Sequence, residues 1–141
     1  MTRSFQKLKE NGKIAVDTNA VIAYRAGVSQ VCTRIKAADV ILVPAPVIGE
    51  LLYGALNSQR ISENKDAVRK FLMYSTFIAI DENITARYAS VRYKLRKIGR
   101  PIPENDIWIA AVCLEFDVPL LTRDAHLENV EGLDVINWTV T

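Results

Sequence analysis

Five short apolar runs, separated by stretches with helical periodicity, constrain this chain more than anything else in it. They are Ile14-Ala15-Val16, Val40-Ile41-Leu42-Val43, Phe77-Ile78-Ala79-Ile80, Val118-Pro119-Leu120-Leu121 and, less pure, Asp134-Val135-Ile136-Asn137-Trp138. A strand that is apolar at every position has no solvent face, which marks the buried strand of a parallel sheet. Between the runs, the patterns predict helices over 18–24, 29–37, 46–56, 62–74, 82–98 and 104–116. Gly27 closes the first of these. In the fourth, Val68, Phe71 and Leu72 share one side. Asp81 is placed to cap the fifth, and Pro101-Ile102-Pro103 forms a rigid turn before the sixth. Strands alternating with helices predict an α/β fold, a mainly parallel sheet covered on both faces. In such sheets the ligand site lies beyond the carboxyl ends of the strands.

The rest of the composition mainly excludes. With 141 residues, half of them hydrophobic, and no linker, the chain reads as a single domain over 1–141. Residues 1–12 form a basic N-terminal extension before the first strand, either ordered or mobile. No apolar run approaches the ~20 residues of a membrane span, and the polar start lacks a signal peptide's apolar stretch. Cys32 and Cys113 stand alone and read as buried thiols in a reducing cytoplasm. A single histidine is poor material for a zinc site or a Ser-His-Asp triad. The net charge of +2 hides an asymmetry: residues 1–100 carry a balance of +9 and residues 101–141 a balance of −7. Between Glu82 and Glu104 there is no acid, yet Arg87, Arg92, Lys94, Arg96, Lys97 and Arg100 all fall there. Such a chain suits a polyanion on one face and cations on another.

Four carboxylates sit in apolar company. Asp17 directly follows the first strand. Glu50 is the only charge in the fourteen residues 43–56. Asp106 opens a helix that continues Ile107-Trp108-Ile109-Ala110-Ala111-Val112-Cys113-Leu114 without another charge. Asp124 follows the fourth strand after Thr122-Arg123. Taken singly, Asp17 has the position of a helix N-cap, Asp106 that of a first-turn acid favoured by the helix dipole, and Asp124 that of a turn residue. Glu50, in mid-helix, has no capping role. A carboxylate against an apolar face costs several kcal/mol unless a basic partner, a proton or a metal ion neutralises it. Few basic residues lie nearby in sequence, so a shared cation is the economical answer. Oxygen ligands without His or Cys point to Mg²⁺ or Mn²⁺.

These residues resemble a known family. Asp17-Thr18-Asn19 after a strand, Glu50-Leu51 with Gly54, Pro103-Glu104-Asn105-Asp106 with Ile109-Ala110-Ala111, and Leu121-Thr122-Arg123-Asp124-Ala125-His126 look like PIN-domain ribonucleases. More narrowly, they look like the VapC toxins of bacterial toxin–antitoxin pairs. The match runs in order from Ile14 to Trp138. Each motif alone is weak, but four in order are specific. The resemblance implies a three-layer α/β/α sandwich with an acidic pocket for Mg²⁺ or Mn²⁺, cleavage of RNA, a homodimer, and inhibition by a VapB-type antitoxin. Asp17, Glu50, Asp106 and Asp124 match the family's acidic quartet, which would be both catalytic and metal-holding. Asn19 and Thr122 match polar positions at the pocket rim. The basic extension at the start departs from the family pattern.

Hydrolysis of a phosphodiester needs an activated water and charge relief at the phosphoryl and leaving oxygens, which carboxylate-held divalent ions supply. Asp17 and Asp106 are expected to hold the principal ion, with Glu50 completing its shell and Asp124 supporting the same ion or a second. Without a catalytic histidine, metal-activated water is the expected nucleophile, leaving 5′-phosphate and 3′-hydroxyl ends. His126, just past a turn, reads as incidental. Arg92, Lys94, Arg96 and Lys97 are candidates for gripping RNA phosphates, with Tyr88 and Tyr93 for stacking on bases; a solvated helix face explains them equally well. Two other readings stand beside this one. A haloacid-dehalogenase-like phosphatase also ends a strand in Asp, but usually carries a second Asp two residues on, where this chain has Asn19. A non-catalytic RNA-binding module on the same fold leaves the four carboxylates unexplained.

Overall fold

The computed structural model describes residues 12–140, so the basic extension, apart from Gly12, lies outside the described residues. Five strands form one sheet: β1 (Lys13–Val16), β2 (Val40–Pro44), β3 (Thr76–Ile78), β4 (Leu120–Thr122) and β5 (Val135–Asn137). Six helices connect them: α1 (Thr18–Arg25), α2 (Ser29–Ala37), α3 (Ala45–Leu56), α4 (Ile61–Met73), α5 (Glu82–Lys97) and α6 (Glu104–Phe116). A 3₁₀ turn, Ala125–Asn129, bridges β4 and β5. All four strand pairings are parallel, in the order β3-β2-β1-β4-β5, with Ala15 opposite Leu42 on one side and Leu120 on the other. The expected α/β fold, with helices on both faces of the sheet, is the one observed.

This strand order locates the site. The chain winds outward from β1 through β2 to β3, then returns to the other side of β1 to lay down β4 and β5. Connections leaving β1 and β4 therefore diverge, and the crevice between their carboxyl ends is the switch point where open α/β sheets bind ligands. Ile14, Ala15 and Val16 of the central strand are wholly buried, as are Leu120, Leu121 and Thr122. The chain emerges from β1 directly into Asp17.

The sequence misjudges three details. The third apolar run is not a doubly covered strand: β3 ends at Ile78 and is an edge strand, with Thr76 and Phe77 exposed. The fourth strand begins at Leu120 rather than Val118 and includes Thr122. Cys113 is a buried thiol as expected, but Cys32 is only half-buried, its Sγ 3.6 Å from the Tyr24 carbonyl oxygen. No helix among the described residues is long and apolar enough to cross a membrane.

Candidate active site

Asp17 has two jobs at once. Its backbone is extended (φ −92°, ψ 179°) and it is the N-cap of α1, with the Ala20 amide donating to Oδ1 at 2.8 Å. Its other oxygen, Oδ2, accepts from the Thr122 hydroxyl at 2.5 Å. That bond spans 105 residues of sequence and ties the end of β1 to the end of β4. Thr122 Oγ1 in turn accepts from the Asp124 amide at 3.1 Å, so one buried hydroxyl fixes both Asp17 and the backbone that carries Asp124.

Asp106 arrives from the first turn of α6, where its amide donates to the Pro103 carbonyl at 3.0 Å. The 3₁₀ turn after Asp124 folds His126 back toward it, and His126 Nε2 lies 2.8 Å from Asp106 Oδ2. One ligand atom each from Asp106, Asp124 and His126 lies within 4.8 Å of the others. His126 is thus part of the constellation and not incidental. The signal was thin: the chain's single histidine, two residues beyond a candidate acid. Periodicity says nothing about the direction a 3₁₀ turn takes.

Glu50 stands at the rim. It is half-buried in the middle of α3, and Asn105 Nδ2 donates to its Oε1 at 3.2 Å. Asn105 is the neighbour of Asp106, so α3 and the first turn of α6 are joined beside the cluster. Asn105 belongs to a motif read in the sequence, but its role there was not. Glu50 also lines a cleft of about 230 Å³ with Thr18, whose hydroxyl is buried without a hydrogen-bond partner among the described residues. Asn19 is half-buried in the first turn of α1. The structure therefore gathers Asp17, Asp106, Asp124 and Thr122 at the switch point, and places Glu50 beside them through Asn105.

The electrostatics follow from this packing. Burial pushes the Asp17 carboxyl up to about 6 from an ordinary 3.8; its two hydrogen bonds pull the other way, and the negative charges of Asp124 and Asp106 add to the rise. Among the described residues no lysine or arginine pairs with Asp17, Asp106 or Asp124. Hard carboxylate oxygens that converge with no lysine or arginine partner among the described residues fit a divalent ion of the Mg²⁺ or Mn²⁺ type, and one imidazole nitrogen at the edge does not conflict with Mn²⁺.

The four basic candidates are not brought together. Lys94 Nζ pairs with Glu131 at 3.5 Å, and Lys97 Nζ lies 5.6 Å above the Tyr93 ring. Arg92 and Arg96 line a separate groove on the other flank of α5. Tyr88 does not offer both faces of its ring to a base, since it is stacked on Trp108 with centroids 3.8 Å apart.

Comparison with known proteins agrees with this geometry. The family model described as PIN domain matches residues 14–133. Ribonuclease VapC1 of Haemophilus influenzae (strain R2866) is 25% identical over 129 residues, covering 88% of this chain and 96% of the relative. Ribonuclease VapC2 of Haemophilus influenzae (strain ATCC 51907) is 29% identical over 129 residues, covering 89% and 98%. Among solved structures, VapBC2 from Rickettsia felis bound to a DNA fragment from its promoter superposes with a TM-score of 0.83, at 22% identity, over 89% of this chain and 98% of that one. VapBC-1 from nontypeable Haemophilus influenzae gives 0.82 at 25% identity, over 90% and 98%.

Proposed function

The chain belongs to the PIN-domain family, and from that premise we propose that it is a metal-dependent endoribonuclease, the toxin of a type II toxin–antitoxin pair. The observation that carries this reading is the convergence of Asp17, Asp106 and Asp124 on the switch point with no lysine or arginine among the described residues paired with them. Relatives named Ribonuclease VapC and structural neighbours named VapBC support RNA as the substrate and a VapB-type antitoxin as the partner. The reading places the protein in the cytoplasm, as a homodimer. Tyr53 and Leu56 on α3, Met73 on α4, its C-cap Tyr74, and Phe77 on β3 are exposed and leave apolar surface for such partners.

Asp17 and Asp106 would hold Mg²⁺ or Mn²⁺, with Asp124 supporting it and Glu50 completing the shell through the Asn105 contact. A divalent ion bound there supplies charge to the phosphoryl oxygens and acidity to water. The protein's part is orientation. Thr122 donates to Asp17 Oδ2 and the Ala20 amide to Oδ1, so the carboxylate cannot rotate away from the crevice. His126 positions Asp106 in the same way through Oδ2.

The test is direct. Single-stranded RNA incubated with the protein and millimolar Mg²⁺ or Mn²⁺ is expected to be cut internally, and chelator to stop it. Turnover of a small aryl phosphate with none of RNA would overturn the reading in favour of a phosphatase.

A further inference from the structure

Helix α5 carries the densest run of basic side chains in the chain, and its two flanks differ in how that charge is used. On one flank Arg87 Nε donates to Glu115 Oε1 at 3.1 Å and Lys94 pairs with Glu131 at 3.5 Å. Arg87 and Lys94 border a cavity of about 550 Å³, and each of these two cations has a carboxylate partner. A polyanion gains little there.

The other flank is different. A groove of about 320 Å³ runs between α5 and the start of α6, lined by Tyr88, Arg92, Arg96, Pro101, Ile102 and Glu104 among others. Arg92 Nη1 donates to the Tyr88 hydroxyl at 2.9 Å, and that hydroxyl donates to Glu104 Oε1 at 2.6 Å. The stack of Tyr88 on Trp108, 16° from parallel, holds the ring in place. The Arg92 head is thus oriented by a neutral group and has no ion-pair partner among the described residues. Arg96 has no ion-pair or hydrogen-bond partner among the described residues. Two guanidinium groups face a single carboxylate, and the guanidinium fork matches a phosphate in bidentate fashion.

The groove and the acidic crevice share the first turn of α6. Glu104, Asn105 and Asp106 are consecutive in the first turn of α6. The first enters the groove, the second holds Glu50, and the third enters the acidic cluster. One helical turn, about 10 Å across with its side chains, separates the two.

We propose that this groove is a backbone subsite for the RNA substrate, in which Arg92 and Arg96, and not Lys94 or Lys97, hold phosphates of the strand flanking the bond in the acidic crevice. The proposal rests on the ribonuclease reading and gives that site a direction for its substrate. Neutral side chains at 92 and 96 should therefore weaken RNA binding and flatten its salt dependence, and neutral side chains at 94 and 97 should do neither.

The experiment is a titration of a labelled single-stranded RNA with the full chain in chelator, at several salt concentrations. Each lost phosphate contact to a single strand reduces the slope of log affinity against log salt by about 0.7. Arg92→Gln with Arg96→Gln is expected to lower it by about 1.4, and Lys94→Gln with Lys97→Gln to leave it within error. If the first variant misfolds by circular dichroism, Arg92→Lys with Arg96→Lys decides: the slope should persist while affinity drops several-fold, and unchanged affinity would overturn the proposal. Equal slopes for both Gln pairs would also overturn it, as would an unchanged slope with altered sedimentation, which makes the groove an assembly surface. Wild-type cleavage with Mg²⁺ or Mn²⁺ is scored on the same preparation. Cleavage without the slope difference rejects the groove alone, and the slope difference without cleavage rejects the nuclease reading alone.

Discussion

The crevice at the end of β1 and the exposed flank of α5 carry opposite charge, and they are stabilised in opposite ways. On α5, Arg87 and Lys94 each find a carboxylate, on α6 and just before β5 respectively. Those pairs are solvated, with side-chain exposures of 52% and 25% for the first and 59% and 78% for the second, and exposed pairs are worth about 0–1 kcal/mol. In the crevice, Asp17 is 3% exposed and its nearest charged neighbours are of its own sign. The chain spends stability there and recovers only part of it through hydrogen bonds. The difference teaches where function lies: the Arg87–Lys94 flank of α5 is content without a ligand, and the crevice is not.

The comparison is broken most severely by removing a crevice charge. Asp17→Asn keeps the side-chain shape and the N-cap acceptor, so the fold should persist, while RNA cleavage should fall at least about a hundredfold, the scale seen when one catalytic electrostatic group is lost. A gel assay with circular dichroism on the same sample checks both halves.

The second effect is on stability against pH. Asp17 is harder to ionise when folded, near pH 6, than when unfolded, near 3.8. Between those values the native state binds more protons than the unfolded state, so stability falls as pH rises from about 4 to 6 and is level above about 7. The shift corresponds to about 3 kcal/mol. Metal-free Asp17→Asn should lose this dependence and be more stable at pH 7 by about 2 kcal/mol, since the altered bond with Thr122 takes back about 1. Denaturant titrations at pH 4, 5, 6 and 7 measure it. Wild-type stability that rises across this window would contradict the burial argument.

Next is the metal itself. At a hundredfold excess over its dissociation constant, Mg²⁺ or Mn²⁺ should stabilise the native state by about 3 kcal/mol through mass action, a rise of several degrees in Tm for a chain of this size. Coincident thermal scans with and without metal would mean that the crevice holds no ion. His126→Gln should weaken that metal response about tenfold in concentration, as loss of a ligand-orienting partner does. The smallest effect belongs to the helix: Lys94→Gln should change stability by under about 0.5 kcal/mol.

Much of this was legible in the sequence, for identifiable reasons. Asp17 follows a wholly apolar strand, and Glu50 and Asp106 break apolar helices, so burial betrays a misplaced charge without any structure. The parallel sheet followed from strands with no polar face. What periodicity does not carry is neighbourhood across the fold. Phe77 and Ile80 look like core residues, but among the described residues β3 is the last strand on its side and has no strand beyond it to help cover them. His126 returns to Asp106 through a turn that no repeat encodes. The run from Arg87 to Lys97 reads as one patch, although a 100° step sets Arg92 and Arg96 on a different flank from Lys94, and the carboxylates that quench Arg87 and Lys94 come from positions 115 and 131.

The claim at the centre is that carboxylates and a divalent ion turn water on a phosphodiester, with no part for the ribose 2′-hydroxyl. The chemistry of the new RNA ends reports this most directly. A defined RNA cut by the wild-type protein in Mg²⁺ or Mn²⁺ should leave 5′-phosphate ends that an RNA ligase joins without prior kinase treatment, and free 3′-hydroxyls. Ends with a 5′-hydroxyl and a 2′,3′-cyclic phosphate, or cleavage that continues in chelator, would contradict the account.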